Sequence, residues 1–512
     1  MQISNLIKAI VGAFIIAVCV SACKDNANDA ASANSTSQTS GASSQSGAVS
    51  TSTTNNANSA INSAQNSQDL SQYRQMYAKP INEWSKPTID ASVSEWEEFA
   101  PIPRTAPAPK DNEFVHTKAH LGRNLFNDPR LSKSGQFACE SCHHKEIASS
   151  DALPRAIGHD LQVGRRNTPS SQMAGFFDEL FWDGRAKSLE EQALGPITDP
   201  VEMANTLENA ENAIKNAPEY YPLFVAAFGD DEMKKVWAQW YEWMLPKSEK
   251  EEQAAKKAIH THKPPENNAS APKKDDFLGI EKLGAMSAKM LDELKEQERN
   301  IFASWAFKRL LSEQKVATPK DDILAKIPQA EKEKAKKLIT IENIAKAIAT
   351  FERGPGLMSA RGTRFNRFLQ GEYELLSDKE LWGLDIFRNK GGCMNCHYGF
   401  LLSDKKFHNI GLDFYGRAGQ DLGRYEVTKN PADVGAFKTP SLVNVSKTAP
   451  YMHNGIAPNL AGVIQLFNEG VPVPAAKGVE NDALKPSKSP LIKPLNLSVE
   501  EIEALEAFLR AL

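Results

Sequence analysis

Apolar residues recur at helical spacing in five stretches: Ser188–Leu194, Asn205–Asn216, Ile341–Glu352, Asp378–Arg388 and Val499–Leu512. The last sets Ile502, Leu505, Leu509 and Leu512 on one face. Ser377 with Glu380, and Ser498 with Glu501, stand three apart at the starts of the final two. At that spacing a hydroxyl and a carboxylate satisfy the free N–H groups of a first turn. No sustained apolar–polar alternation marks a large sheet, so the pattern predicts a mainly α fold.

Elsewhere the helical pattern changes character. Ala9–Val20 is an apolar run of 12 residues behind Lys8, too short for a membrane span and typical of an export signal. Val20-Ser21-Ala22-Cys23 resembles a bacterial lipobox, which predicts cleavage before Cys23 and a lipid anchor on its thiol. Lys24 follows with no Asp at that position, resembling the pattern that sorts lipoproteins to the outer membrane on its periplasmic face. From Asp25 to about Asp69 the chain is Ser, Asn, Ala, Thr and Gln; it cannot bury a core and is expected to be a flexible tether. Residues 229–340 are rich in Lys, Glu and Ala and suggest a helical insertion, in which His260 and His262 are solvated loop residues. The expected organisation is a signal peptide at 1–22, a tether at 23–80, an N-terminal domain at 81–340 containing the insertion, and a C-terminal domain at 341–512.

Net charge is −4, and loss of Lys8 with the signal makes it −5. A mildly acidic chain carries no nucleic-acid signature. Of six cysteines, Cys19 leaves with the signal and Cys23 carries lipid. The remaining four form Cys139-Glu140-Ser141-Cys142-His143 and Cys393-Met394-Asn395-Cys396-His397. In a CxxCH motif two thiols bind a haem covalently and the His ligates its iron. Zinc held by two Cys pairs is the competing chemistry, but it leaves His143 and His397 unexplained.

With these motifs stand Arg166-Asn167-Thr168-Pro169, Phe181-Trp182-Asp183-Gly184-Arg185, Pro200-Val201-Glu202-Met203 and Ala449-Pro450-Tyr451-Met452-His453-Asn454-Gly455. In this order the set resembles the bacterial dihaem cytochrome c peroxidases and their MauG relatives, over about 121–202 and 341–512. The resemblance implies two cytochrome c-type domains, each with a covalently bound haem c. The N-terminal haem would reduce hydrogen peroxide, and the C-terminal haem would collect electrons from a small cytochrome c or cupredoxin. His143 and His397 match the proximal ligands. His159, sixteen residues past His143, matches a distal His that caps the first iron at rest. Glu202 and Gln192 match the pocket residues. A carboxylate there can take a proton from one peroxide oxygen and return it to the other, and the amide can orient the peroxide. Trp182 matches the aromatic bridge between haems. Asn167, Thr448 and Pro450 match a Ca2+ site between the domains. The resemblance is also compatible with a homodimer.

One position departs from the family. Fourteen residues past His453, where relatives place a Met or Tyr ligand to the second iron, stands Phe467. Phenylalanine cannot ligate iron, so that ligand is missing or comes from elsewhere, Met452 being one source. Two alternatives to the peroxidase therefore stand. One is a MauG-like enzyme in which peroxide drives oxidation of a residue on a partner protein. The other is a non-catalytic electron-transfer cytochrome, for which Glu202 and Gln192 have no use.

Overall fold

Serine and threonine side chains start the helices that the apolar pattern marks. Ser188 Oγ accepts from the Glu191 N–H, Thr206 Oγ1 from Asn209 and Thr340 Oγ1 from Asn343, opening helices Leu189–Thr198, Leu207–Lys215 and Ile341–Arg353. Ser377 and Ser498 form reciprocal capping boxes with Glu380 and Glu501, opening Asp378–Arg388 and Val499–Leu509. The computed structural model describes residues 69–241 and 327–512, apart from 356, 358, 473–475 and 480. The signal peptide, the lipobox, most of the tether and most of the insertion with His260 and His262 lie outside the described residues. The one sheet among those described pairs Phe407–His408 antiparallel with Phe437–Lys438, and no described helix is long and apolar enough to cross a membrane.

The fold carries an internal repeat. Helix His116–Phe126 precedes the first CxxCH and packs on Ile341–Arg353; Asp378–Arg388 precedes the second and packs on Val499–Leu509. Both crossings are made at a glycine. A Cβ on Gly122 would lie 1.8 Å from the Ala347 carbonyl oxygen and 2.9 Å from Phe351 Cβ. On Gly383 it would lie 1.9 Å from the Ala504 oxygen and 2.8 Å from Phe508 Cβ. Only glycine lets the backbones approach this closely.

Two cores follow. One joins Leu121, Leu125 and Ile197 to Ile344 and Ile348; the other joins Leu381, Ile386 and Met394 to Leu505 and Phe508. This corrects two expected boundaries. Ile341–Arg353 completes the N-terminal core, so that domain runs past 340. Residues 71–106 belong largely with the C-terminal core, where Tyr77, Trp84, Phe99, Ile102 and Ala106 are buried. The tether accordingly stops short of 80: Ser71–Tyr77 is helical, Arg74 pairs with Asp378 at 2.5 Å, and the Tyr77 hydroxyl donates to Asp385 at 2.6 Å. Polar tether composition gives way to Tyr and Trp at that point, and their apolar area finds a core three hundred residues away in sequence.

Candidate active site

Each CxxCH begins as a single 3-10 turn, Cys139–Ser141 and Cys393–Asn395. The turn folds the His back, its N–H donating to the first Cys carbonyl (3.1 Å for His143, 2.9 Å for His397). Each ring is then fixed by a second bond. His143 Nδ1–H donates to the Ser149 carbonyl at 3.0 Å, and His397 Nδ1–H to the Leu402 carbonyl at 2.8 Å. A carbonyl can only accept, so the proton sits on Nδ1 and the Nε2 lone pair is left to bind a metal. Burial holds both rings below the usual His range, hence neutral. Ser149 and Leu402 both adopt left-handed backbone (φ 58° and 52°), which shapes the loops that present those carbonyls.

A cavity of about 680 Å³ runs between the motifs. Its wall includes Cys142, His143, Cys393, Cys396 and His397. Burial pushes the Cys139, Cys393 and Cys396 thiols up to about 12. Among the described residues the four thiols do not converge on a point; the one potential ligand cluster is Cys396, Asp404 and His408, and in it His408 Nε2 already bonds Asp404 at 2.7 Å. The residues present fit two covalent haems.

Glu202, Gln192 and Trp182 stand in the same wall as His143. Desolvation raises the Glu202 pKa to about 7, with Asp199 adding to the shift and Arg185 opposing it. A carboxyl poised there can accept and return a proton near neutral pH. The indole N–H of Trp182 donates to the Asn167 carbonyl (2.9 Å), and its own carbonyl accepts from Lys438 N (2.8 Å), so it ties both haem domains together.

A family profile described as di-haem cytochrome c peroxidase matches residues 116–265. The chain is 28% identical over 348 residues to the cytochrome c551 peroxidase of Nitrosomonas europaea, covering 68% of this chain and 71% of that one. It is 28% identical over 414 residues to the methylamine utilization protein MauG of Methylorubrum extorquens, covering 80% and 82%. Among solved structures it is similar to a MauG-like protein associated with microbial copper homeostasis, with TM-score 0.54, 26% identity and 81% and 95% of the two chains covered. The chain is similar to the di-haem cytochrome c peroxidases, in the profile match and over most of its length in the pairwise ones. It is an oxidoreductase, and the family carries two haem c groups.

The remaining candidates of this dihaem enzyme are placed as follows. Asn167, Thr448 and Pro450 share the cavity wall; Asn167 Nδ2 donates to the Leu153 carbonyl at 2.8 Å, leaving its amide oxygen as the acceptor end. Phe467 lies on helix Leu460–Asn468 and in the wall; Met452, outside that helix, also lines the wall, with left-handed backbone at φ 73°. His159 is not in the wall. Its backbone N–H donates to the Glu202 carbonyl (2.9 Å), while its Nδ1 is buried without a partner. Gly158 holds that loop against the turn at Val201–Glu202, where a Cβ would lie 2.1 Å from the Val201 oxygen.

Among the ionisable wall residues that sequence reasoning missed are Glu352 and Lys438. Lys438 donates to the Glu179 carbonyl (2.8 Å) and lies 4.0 Å from the Phe177 ring; burial lowers its pKa to about 7. Glu352 had a visible signal: it falls in line with Ala345, Ile348 and Ala349, the buried face of its helix, where a carboxyl is out of place.

Proposed function

We propose that the enzyme reduces hydrogen peroxide to water at its N-terminal haem, using electrons delivered to the C-terminal haem by a small cytochrome c or cupredoxin. The observation that carries this reading is Glu202, a desolvated carboxyl with its pKa near 7 on the wall shared with His143 and Gln192. His143 and Cys139–Cys142 hold the first haem, and His397 and Cys393–Cys396 the second. The haem iron supplies a site for peroxide and the electrons that reduce it. Glu202 takes the proton from the near peroxide oxygen and hands it to the departing one. Gln192 orients the peroxide through its amide. Two electrons and two protons turn one peroxide into two waters, and Trp182 supplies a packed aromatic between the domains for the electrons. Steady-state turnover with peroxide and a reduced small cytochrome c tests the reading: oxidation of two donor molecules per peroxide supports it, and none refutes it.

A second reading, oxidation of a residue on a partner protein, is favoured by Phe467. It stands in the wall where a thioether would otherwise come from helix Leu460–Asn468, and loss of a thioether lowers the potential of that haem. Peroxide-dependent modification of a partner without turnover of a cytochrome donor would select it. Further proposals concern the surroundings. Asn167 with the carbonyls of Thr448 and Pro450 offers hard oxygen ligands for Ca2+, and a lipid on Cys23 would tether the enzyme to the periplasmic face of the outer membrane.

A further inference from the structure

Glu352 is the least expected group in the cavity. It is only 5% exposed, its Oε2 has no hydrogen-bond partner, and it belongs to the wall. The adjacent Arg353 does not neutralise it, because both Arg353 amino groups are committed to Glu190 (2.6 and 2.8 Å).

The internal repeat provides a control within the molecule. Gly122, Ala347 and Phe351 at one helix crossing correspond to Gly383, Ala504 and Phe508 at the other. The next residue is Glu352 in the first case and Leu509 in the second, and both lie in the cavity wall. A leucine therefore satisfies the packing of this helix pair. The carboxyl is not needed by the fold, and burying it without a partner is unfavourable. Its place beside the first motif calls for a role there.

We propose that Glu352 is a redox-linked proton acceptor for the haem at the first motif. For each electron that arrives at that haem, the Glu352 carboxylate takes one proton from solvent, and it releases that proton when the electron leaves. The ferric centre carries one more positive charge than the ferrous one, so oxidation favours the carboxylate and reduction favours the neutral acid. Desolvation, opposed by Arg353 and assisted by Glu190, raises the Glu352 pKa to about 8. Of the charged groups on the packed elements, burial lowers the His120 pKa, with Arg123 adding to the shift, and two lysines are engaged. Lys118 donates to Asn112 and Glu113, and Lys215 pairs with Glu211 at 2.5 Å. Cys139 feels the Glu352 charge and is consumed in haem attachment. Glu202 is the one other carboxyl of the wall whose pKa lies near neutrality.

The inference rests on haem at the first motif, not on the choice of oxidised donor. Its test is a spectroelectrochemical titration of the dihaem protein from pH 5 to 9. The potential of the first haem should fall tenfold in equilibrium per pH unit, about 59 mV, over a window closing near pH 8. Glu352→Gln and Glu352→Leu should flatten the slope, and Glu202→Gln should keep it. A redox-difference infrared spectrum should show a protonated carboxyl that vanishes in Glu352→Gln; this reading decides the matter in wild type if either variant binds haem poorly. A flat wild-type potential, or a slope lost in Glu202→Gln instead, overturns the proposal. Absence of haem from the first motif would be a failure of the family assignment and is visible in the spectrum beforehand.

Discussion

The glycine crossings give the sharpest prediction about how haem sites are held. Gly383→Ala adds a Cβ 1.9 Å from the Ala504 oxygen, whereas ordinary contact begins at 3.4 Å. The helices Asp378–Arg388 and Val499–Leu509 must separate by about 1.5 Å, since the obstacle is backbone and not a flexible side chain. Alanine recovers about 0.8–1 kcal/mol of helix propensity. Overpacking a well-filled interface costs about 1–3 kcal/mol, and a clash with rigid groups belongs at the upper end. The net effect is a loss of about 2 kcal/mol. For a domain of this size each kcal/mol moves the midpoint by roughly 2–4 °C, so melting followed by haem absorbance should shift down by about 4–8 °C. Gly122→Ala should do the same at the first haem, since its Cβ would lie 1.8 Å from Ala347. An unchanged or raised midpoint in both variants would show that the helices part freely and that the crossings do not set the cores.

Peroxide chemistry needs Glu202 as carboxylate to take the first proton. With its pKa near 7, kcat/KM should rise about tenfold per pH unit below 7 and level off above it. Glu202→Gln should lose that dependence and about 10²–10⁴-fold in rate; a profile flat from pH 5 to 8 in wild type would refute the assignment. Mass spectrometry should find two haem additions in the mature protein and one in Cys139→Ala or Cys393→Ala, and two in either variant would sink covalent attachment at that motif. Phe467→Met should raise the potential of the second haem, because a thioether favours ferrous iron; a His/Met spectrum already present in wild type and lost in Met452→Ala would show that Met452 is the ligand.

Features that depend on neighbours in sequence were legible from the sequence. Helix starts followed from Ser377 with Glu380 and Ser498 with Glu501, because a cap bonds within its own first turn. The haem motifs were legible for the same reason: three residues on one turn carry the attachment. The family motifs extended that reach to Glu202, Gln192 and Trp182, and these do meet on one wall. Features that depend on long-range packing were not. The apolar stripe of Ile341–Arg353 marks a helix but not which core it enters, and only its crossing with Gly122 assigns it to the first domain. Tyr77 looks like the end of a polar tether, and Trp84 like the start of the N-terminal domain, until the core around Leu381 and Phe387 covers both. Glu352 shows the limit most plainly. Along the chain its spacing from Ala345, Ile348 and Ala349 sets it on the apolar face of its helix, but does not say what that face packs against. Its proton affinity comes from desolvation, which tertiary packing imposes and no local pattern encodes.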